Sequence, residues 1–257
     1  MEGKRNIGLV LALIFMGMTL SVRATEPTAV EVYRCKLYNS YVEGNVSQWV
    51  KFLPEMEKVY AINHSSEMLL EIARTRYGLV AFLINEKKGK QALIDLDKGL
   101  ANVETLLTQN PKNAEAMALK ASFLAFTVEL RPFGAPVNGP KSLRQIDAAM
   151  ATAPNNAYVL MDKANAKQFT PFLFGGDLEE AEVYYKKCIA AFEKMEPNQC
   201  RWVYINALAN LGTCYFKMDE YAKAEATYKK ALAIAPEFDW VKRHLLPEVQ
   251  AKLKGKR

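Results

Sequence analysis

Residues 210–236 read NLGTCYFKMDEYAKAEATYKKALAIAP, and the spacing of small and large apolar residues in and around this stretch decides the fold. On a 3.6-residue period Leu208, Leu211, Gly212 and Tyr215 share one helical face. Beyond a break at Met218-Asp219-Glu220, Ala224, Tyr228, Ala231 and Leu232 share another. The pattern predicts two helices joined by a short turn. Helices so joined approach closely only where the contacting side chains are small, as at Gly212, Ala224 and Ala231, while Tyr215 and Tyr228 fill the space beside them. Pro236 stops the second helix.

Leu208, Leu211, Gly212, Tyr215, Ala224, Tyr228, Ala231 and Pro236 fall in order on the signature positions of the tetratricopeptide repeat, and the stretch resembles that family. Leu208 replaces the tryptophan usual at the first signature position. The resemblance implies an all-α, right-handed superhelical solenoid of helical hairpins. One hairpin cannot bury its own apolar face, so more are expected upstream.

They are present. The decamer AEVYYKKCIA from Ala181 repeats AEATYKKALA from Ala224 at six positions. Pro111, Pro154 and Pro197 each precede an alanine, Ala121, Ala164 and Ala207, by ten residues, and the prolines recur every 43 residues. Because Ala164 to Ala181 spans the same distance as Ala207 to Ala224, the extra length lies between hairpins and lengthens the helices there. Two hairpins carry sequences that oppose helix inside the repeat: LRPFGAPVNGPKS from Leu130 and FTPFLFGGD from Phe169. Both are expected to replace the end of a first helix and leave the solenoid from one edge.

Further upstream, residues 67–84 and 90–107 read as another hairpin, the first started by Ser65 or Ser66. Residues 32–41 and 46–60 read as a divergent N-terminal pair, and residues 239–254 as a closing helix that Pro247 kinks or reopens. The organisation expected is a signal peptide over 1–24, a divergent helical pair over 25–62, repeats over 63–238 and a capping helix with tail over 239–257. Lys4 and Arg5 precede an apolar run over 7–20, and Val22 and Ala24 occupy the small positions of a cleavage site after Ala24. The run falls short of the roughly 20 residues a membrane span needs, so export without a stable membrane anchor is expected. A weaker likeness over about residues 60–250, in GPKS, FTPFLFGGD and FDWVKRHLLPE, links the chain to exported repeat proteins of Bacteroidetes and implies a periplasmic location.

The composition fits a folded chain: 257 residues, half of them apolar and 11% aromatic. Removing residues 1–24 takes away three basic residues and one acidic one and lowers the net charge from +6 to +4. That balance and the absence of interleaved stacking aromatics argue against a nucleic-acid partner. An oxidising compartment permits disulfides, but Cys188, Cys200 and Cys214 fall on helical positions that suit small buried residues, and Cys35 stands apart. His64 and His244 are far apart and no CxxC pair exists, so no metal site is expected. The motifs GxSxG, HExxH, GxGxxG and the phosphate-binding Walker loop are all missing, so no catalytic residue and no cofactor is assigned and the chain is not expected to be an enzyme.

The family resemblance implies that the first helices line a concave groove. Carried over on the alanine anchors, the groove positions are Lys120, Phe123 and Thr127; Lys163, Ala166 and Thr170; and Asn206, Ala209, Thr213, Phe216 and Lys217. Ala209 and Thr213 occupy positions where some family members hold a partner's terminal carboxylate with basic side chains, which disfavours that ligand. The apolar loop residues Phe133, Phe169, Phe172, Leu173 and Phe174 are expected to fold back and close the superhelix. The alternative is that Phe133, Phe172 and Phe174 form a loop-edge contact with a partner. The function expected is an exported scaffold that binds a protein or peptide. The competing expectation is a small-molecule binding or uptake-accessory protein with a pocket under the loops.

Overall fold

A computed structural model describes residues 27–195 and 200–255. Within them the chain is helical throughout, with no strand. The expected signal peptide, and Pro197 of the proline series, lie outside the described residues.

The N-terminal pair comprises α1 (Ala29–Val42) and α2 (Trp49–Asn63). Four hairpins follow: α3 (Ser66–Asn85) with α4 (Gly89–Gln109), α5 (Ala114–Leu130) with α6 (Ala135–Thr152), α7 (Ala157–Phe169) with α8 (Leu178–Glu193), and α9 (Trp202–Lys217) with α10 (Tyr221–Ile234). A last helix, α11 (Leu246–Gly255), closes the array. The result is a tetratricopeptide-like helical solenoid.

The local chemistry explains the boundaries. Thr28 and Glu31 cap α1 reciprocally, and Ser65, Asn113, Asn156 and Asp177 each accept a backbone amide at the start of α3, α5, α7 and α8. Asn113 and Asn156 follow Pro111 and Pro154, so the proline recurrence marks the junctions between hairpins. The added length is divided: α4 and α6 run for 21 and 18 residues against 14 for α10, but α8 runs for only 16. Its hairpin has instead gained length in the turn, where the Asp177 amide reaches back to the Lys167 carbonyl, so the expectation that this turn has not grown is corrected. At Gly212 any Cβ would overlap the Tyr228 ring, the close approach expected of the signature glycine.

Two details differ from the sequence reading. The segment after Leu130 breaks helix only over residues 131–134, and α6 resumes at Ala135 with Pro136 in its first turn and Pro140 within it. Proline fits the first turn because the amides there have no intrahelical acceptor. Pro247 is accommodated similarly, in the first turn of α11 behind a wide π-turn at Val241–Leu245.

The first and last helices of the described chain are brought together. The Tyr41 ring lies 5.5 Å from Trp202 and 5.2 Å from Phe238, and Trp49 lies 5.0 Å from Trp202. Gly78 of α3 lies under both tryptophans, where a Cβ would overlap the Trp49 ring. Cys35 of α1 and Cys200, just before α9, form a disulfide across 165 residues with Cα atoms 4.7 Å apart. Cys200 is therefore a cross-link and not a small core residue, and Cys35 has a partner. Cys188 and Cys214 are free and buried.

Candidate functional site

The first helices α3, α5, α7 and α9 converge on the inner face, and α1 lies across it. Arg34 of α1 donates to Glu67 (3.1 Å) and Glu71 (3.0 Å) of α3, and Tyr41 donates its hydroxyl to Asn206 Oδ1 of α9 (3.0 Å). Beneath, Arg74 pairs with Glu71 (2.9 Å) and Glu115 (2.6 Å), its guanidinium 3.9 Å from the centre of the Tyr158 ring. Glu115 also accepts from the Asn156 amide at 2.8 Å. Asp162 is held by the Ser122 hydroxyl (2.8 Å). Burial pushes its carboxyl up to about 7, against the smaller opposing pull of Ser122 and Arg74. The void among Arg74, Tyr77, Tyr158, Asp162, Trp202 and Asn206 is about 10 Å³, no more than one water occupies. At this point the inner face is filled by side chains from α1, α3, α5, α7 and α9.

The residues expected to line one groove are divided among several surroundings. Asn206 faces inward to Tyr41. Phe123 is fully buried against Gly99 and Tyr77, and Thr127 is buried with its hydroxyl on the Phe123 carbonyl (2.9 Å). Thr213 donates to Ala209 O (3.0 Å) beside the Tyr228 hydroxyl, and Phe216 stacks obliquely on Tyr221 at 5.3 Å. Lys120 pairs with Glu104 of α4 (2.7 Å) and Lys163 with Asp147 of α6 (2.7 Å), so both turn toward the preceding second helix. Thr170 closes α7.

A slip in α7 explains why Lys163 and Asn206 share a counted position but not a face. In the last hairpin the Glu220 amide donates to the Tyr215 carbonyl (2.9 Å); in the hairpin before, the Asp177 amide donates to the Lys167 carbonyl (2.9 Å). Asp177 lies 43 residues before Glu220, whereas Lys167 lies 48 before Tyr215. The FTPFLFGGD loop thus shortens α7 and moves its register by five residues, and a count from the alanine anchors does not survive it.

That loop is built and exposed. The Phe174, Gly175 and Gly176 amides donate to the Pro171, Phe172 and Pro171 carbonyls, and Lys167 holds the Gly175 carbonyl (3.2 Å) and Glu180 (2.9 Å). Gly175 has φ +94°, and a Cβ at Gly176 would collide with the Thr170 carbonyl. Lys217 lies 4.8 Å from the Phe169 ring, and desolvation there lowers its pKa. From this base Phe172, Leu173 and Phe174 project with 85%, 88% and 68% of their surface in solvent, and Phe133 on the neighbouring loop is fully exposed. The expectation that these side chains fold back is overturned: the turn directs its backbone polar groups inward and its side chains out. Together they expose on the order of 500 Å² of apolar surface, the size of the largest apolar patch on a typical monomer, which is often functional.

Sequence reasoning missed the Cys35–Cys200 pairing and the buried Glu71, Arg74 and Asp162. A signal existed for Glu71 and Arg74, which stand three apart on a helix whose other buried positions are mostly apolar. No group of His, Cys, Asp and Glu among the described residues could hold a metal.

Stacked hairpins with capped first helices define a class of helical-repeat proteins built to present surfaces. Residues 205–238 match the family model of the tetratricopeptide repeat, so the hairpin of α9 and α10 is such a repeat and the hairpins before it share its fold. The solved structure of a thermophilic TPR protein from Thermus thermophilus superposes with a TM-score of 0.58 at 18% identity, covering 86% of this chain and 99% of that one. The HusA haemophore from Porphyromonas gingivalis gives 0.58 at 15% identity, covering 74% and 94%. No curated protein sequence matches the chain.

Proposed function

We propose that the protein is an exported, periplasmic, non-enzymatic scaffold that binds a protein or peptide at its loop edge, through Phe133, Phe172 and Phe174. The observation that carries this reading is the FLF tip, held out by a turn whose own amides are satisfied. Such preorganisation lowers the cost of ordering a binding loop. The inner face is occupied by paired side chains of the chain itself, which leaves the edge as the better candidate. The test is crosslinking in an envelope fraction followed by recovery of the tagged chain: a partner captured by the wild type and lost with Phe172→Ser/Phe174→Ser supports the proposal, and equal capture by both refutes it.

A second reading is favoured by the same aromatic tip together with the likeness to a haemophore: the loop edge clasps a flat apolar small molecule. Phe133, Phe172 and Phe174 line neither the void at Arg74 nor the cleft at Lys120, so in this reading the ligand is bound on the edge. Absorbance titration with haemin decides. Saturable binding lost with the same double variant favours the small molecule, and its absence favours the scaffold.

A further inference from the structure

Away from the loop tip, α4, α5 and α6 enclose a cleft of about 360 Å³ lined by Glu104, Lys120, Leu124, Lys141, Arg144 and Gln145. It opens between the second helices of two successive hairpins. Three of its six lining residues are cationic and one is acidic. Glu104 is already committed to Lys120 at 2.7 Å, and Asp147, one turn beyond Arg144 on α6, is committed to Lys163 at 2.7 Å. Lys141 and Arg144 have no carboxylate partner among the described residues. Lys167, Lys186, Lys229 and Lys230 on α7, α8 and α10, by contrast, each pair with a glutamate. Two unpaired cations facing one cavity are therefore a local excess of positive charge.

The cleft is continuous with the loop edge. Phe133, Val137, Lys141 and Arg144 follow one another at helical spacing along the exposed side of α6 and its lead-in turn. Phe133 and Val137 are exposed and apolar, so the stripe passes from apolar to basic as it enters the cleft. The apolar lining of the cleft is Leu124, with no aromatic ring on which a base could stack, which disfavours a nucleic acid.

We infer that this cleft binds the carboxylates of an acidic peptide segment, with Lys141 and Arg144 as the recognising cations, Gln145 as an amide donor and Lys120 held in place by Glu104. Cation clusters recognise acidic motifs by charge-assisted hydrogen bonds, and the guanidinium of Arg144 suits a carboxylate in two-point contact. The inference rests on the scaffold reading and extends it by naming the chemistry of the partner: acidic residues next to an apolar anchor that meets Phe133.

The test is fluorescence anisotropy of a labelled hexaglutamate peptide titrated with the full chain. Saturable binding is expected, weakening as salt is raised, and weakening at least tenfold in Lys141→Glu/Arg144→Glu. Both side chains are exposed, so this variant is expected to keep the wild-type thermal midpoint. Lys229→Glu/Lys230→Glu makes the same change in net charge on another helix and is expected to bind as the wild type does. Phe172→Ser/Phe174→Ser should leave hexaglutamate binding intact, which separates a failure here from a failure of the loop-edge reading. Absence of binding, equal loss in both charge-reversed variants, or displacement of the peptide by inorganic phosphate as effectively as by unlabelled hexaglutamate overturns the inference; the last outcome would make the cleft a small-anion site.

Discussion

The inner face and the loop edge invert the usual placement of polar and apolar groups. Inside, Glu71 and Arg74 retain only 2% and 3% of their exposure; outside, Leu173 keeps 88%. Burying charge costs several kcal/mol per ion before pairing, and exposing phenylalanine forgoes roughly 1.5–3 kcal/mol per side chain. The inner charges are tolerable because they satisfy one another across α1, α3, α5 and α7. Nothing among the described residues offsets the exposure of the edge. The first region therefore serves the fold, and the second is the better place to look for recognition.

The largest effect is expected from breaking the inner network. Arg74→Ala removes the cation shared by Glu71 and Glu115, leaving Glu71 with Arg34 and Glu115 with the Asn156 amide, and should destabilise the protein by about 3 kcal/mol, read from chemical denaturation. A change near zero would mean that the inner face is not closed in solution.

Next, Cys35→Ser should cost about 2–4 kcal/mol, since the bridge restricts a loop of most of the chain in the unfolded state. The same loss is expected on adding reductant to the wild type and none on adding it to the variant. A wild type insensitive to reductant would place the two ends apart and reopen the inner face as a groove.

Asp162 sharpens the comparison through pH. Its folded pKa of about 7 lies above the ordinary carboxyl value of 3.8 because burial penalises the charged form. Folding therefore takes up a proton between those values. This contribution to stability is complete below about pH 4 and is lost as pH rises through about 7. Asp162→Asn can still accept from Ser122 but cannot ionise, and should be more stable than the wild type at pH 8 by about 1–2 kcal/mol. Parallel pH profiles for the two proteins would show Asp162 to be solvated.

The smallest effect on stability belongs to the edge. Phe172→Ser/Phe174→Ser should change stability by less than about 0.5 kcal/mol, as surface substitutions do. A loss of several kcal/mol would return these rings to the core and dissolve the contrast between the two regions.

Much of the architecture was legible in residue order because it depends on contacts close in sequence. The hairpin of α9 and α10 follows from Gly212 facing Tyr228 across one turn, the helix starts from Ser65 and Asp177, and the hairpin junctions from Pro111 and Pro154. The candidate site was less legible. Lys120, Lys163 and Asn206 were placed together by counting, and counting fails wherever a loop changes length, as it does after Phe169. The exposure of Phe172 and Phe174 was not readable either, since the same FTPFLFGGD can fold in or out until the turn's hydrogen bonds are known.

The sequence by itself determined an all-α chain of stacked hairpins, because helical periodicity, caps and breakers act over one or two turns. Only the tertiary structure decided that the solenoid closes on its own first helix. That closure depends on Tyr41, Trp49, Trp202 and Phe238 meeting in one aromatic cluster and on Cys35 reaching Cys200 across 165 residues. Such pairings depend on the summed rotation of every intervening hairpin, and no local pattern encodes that sum.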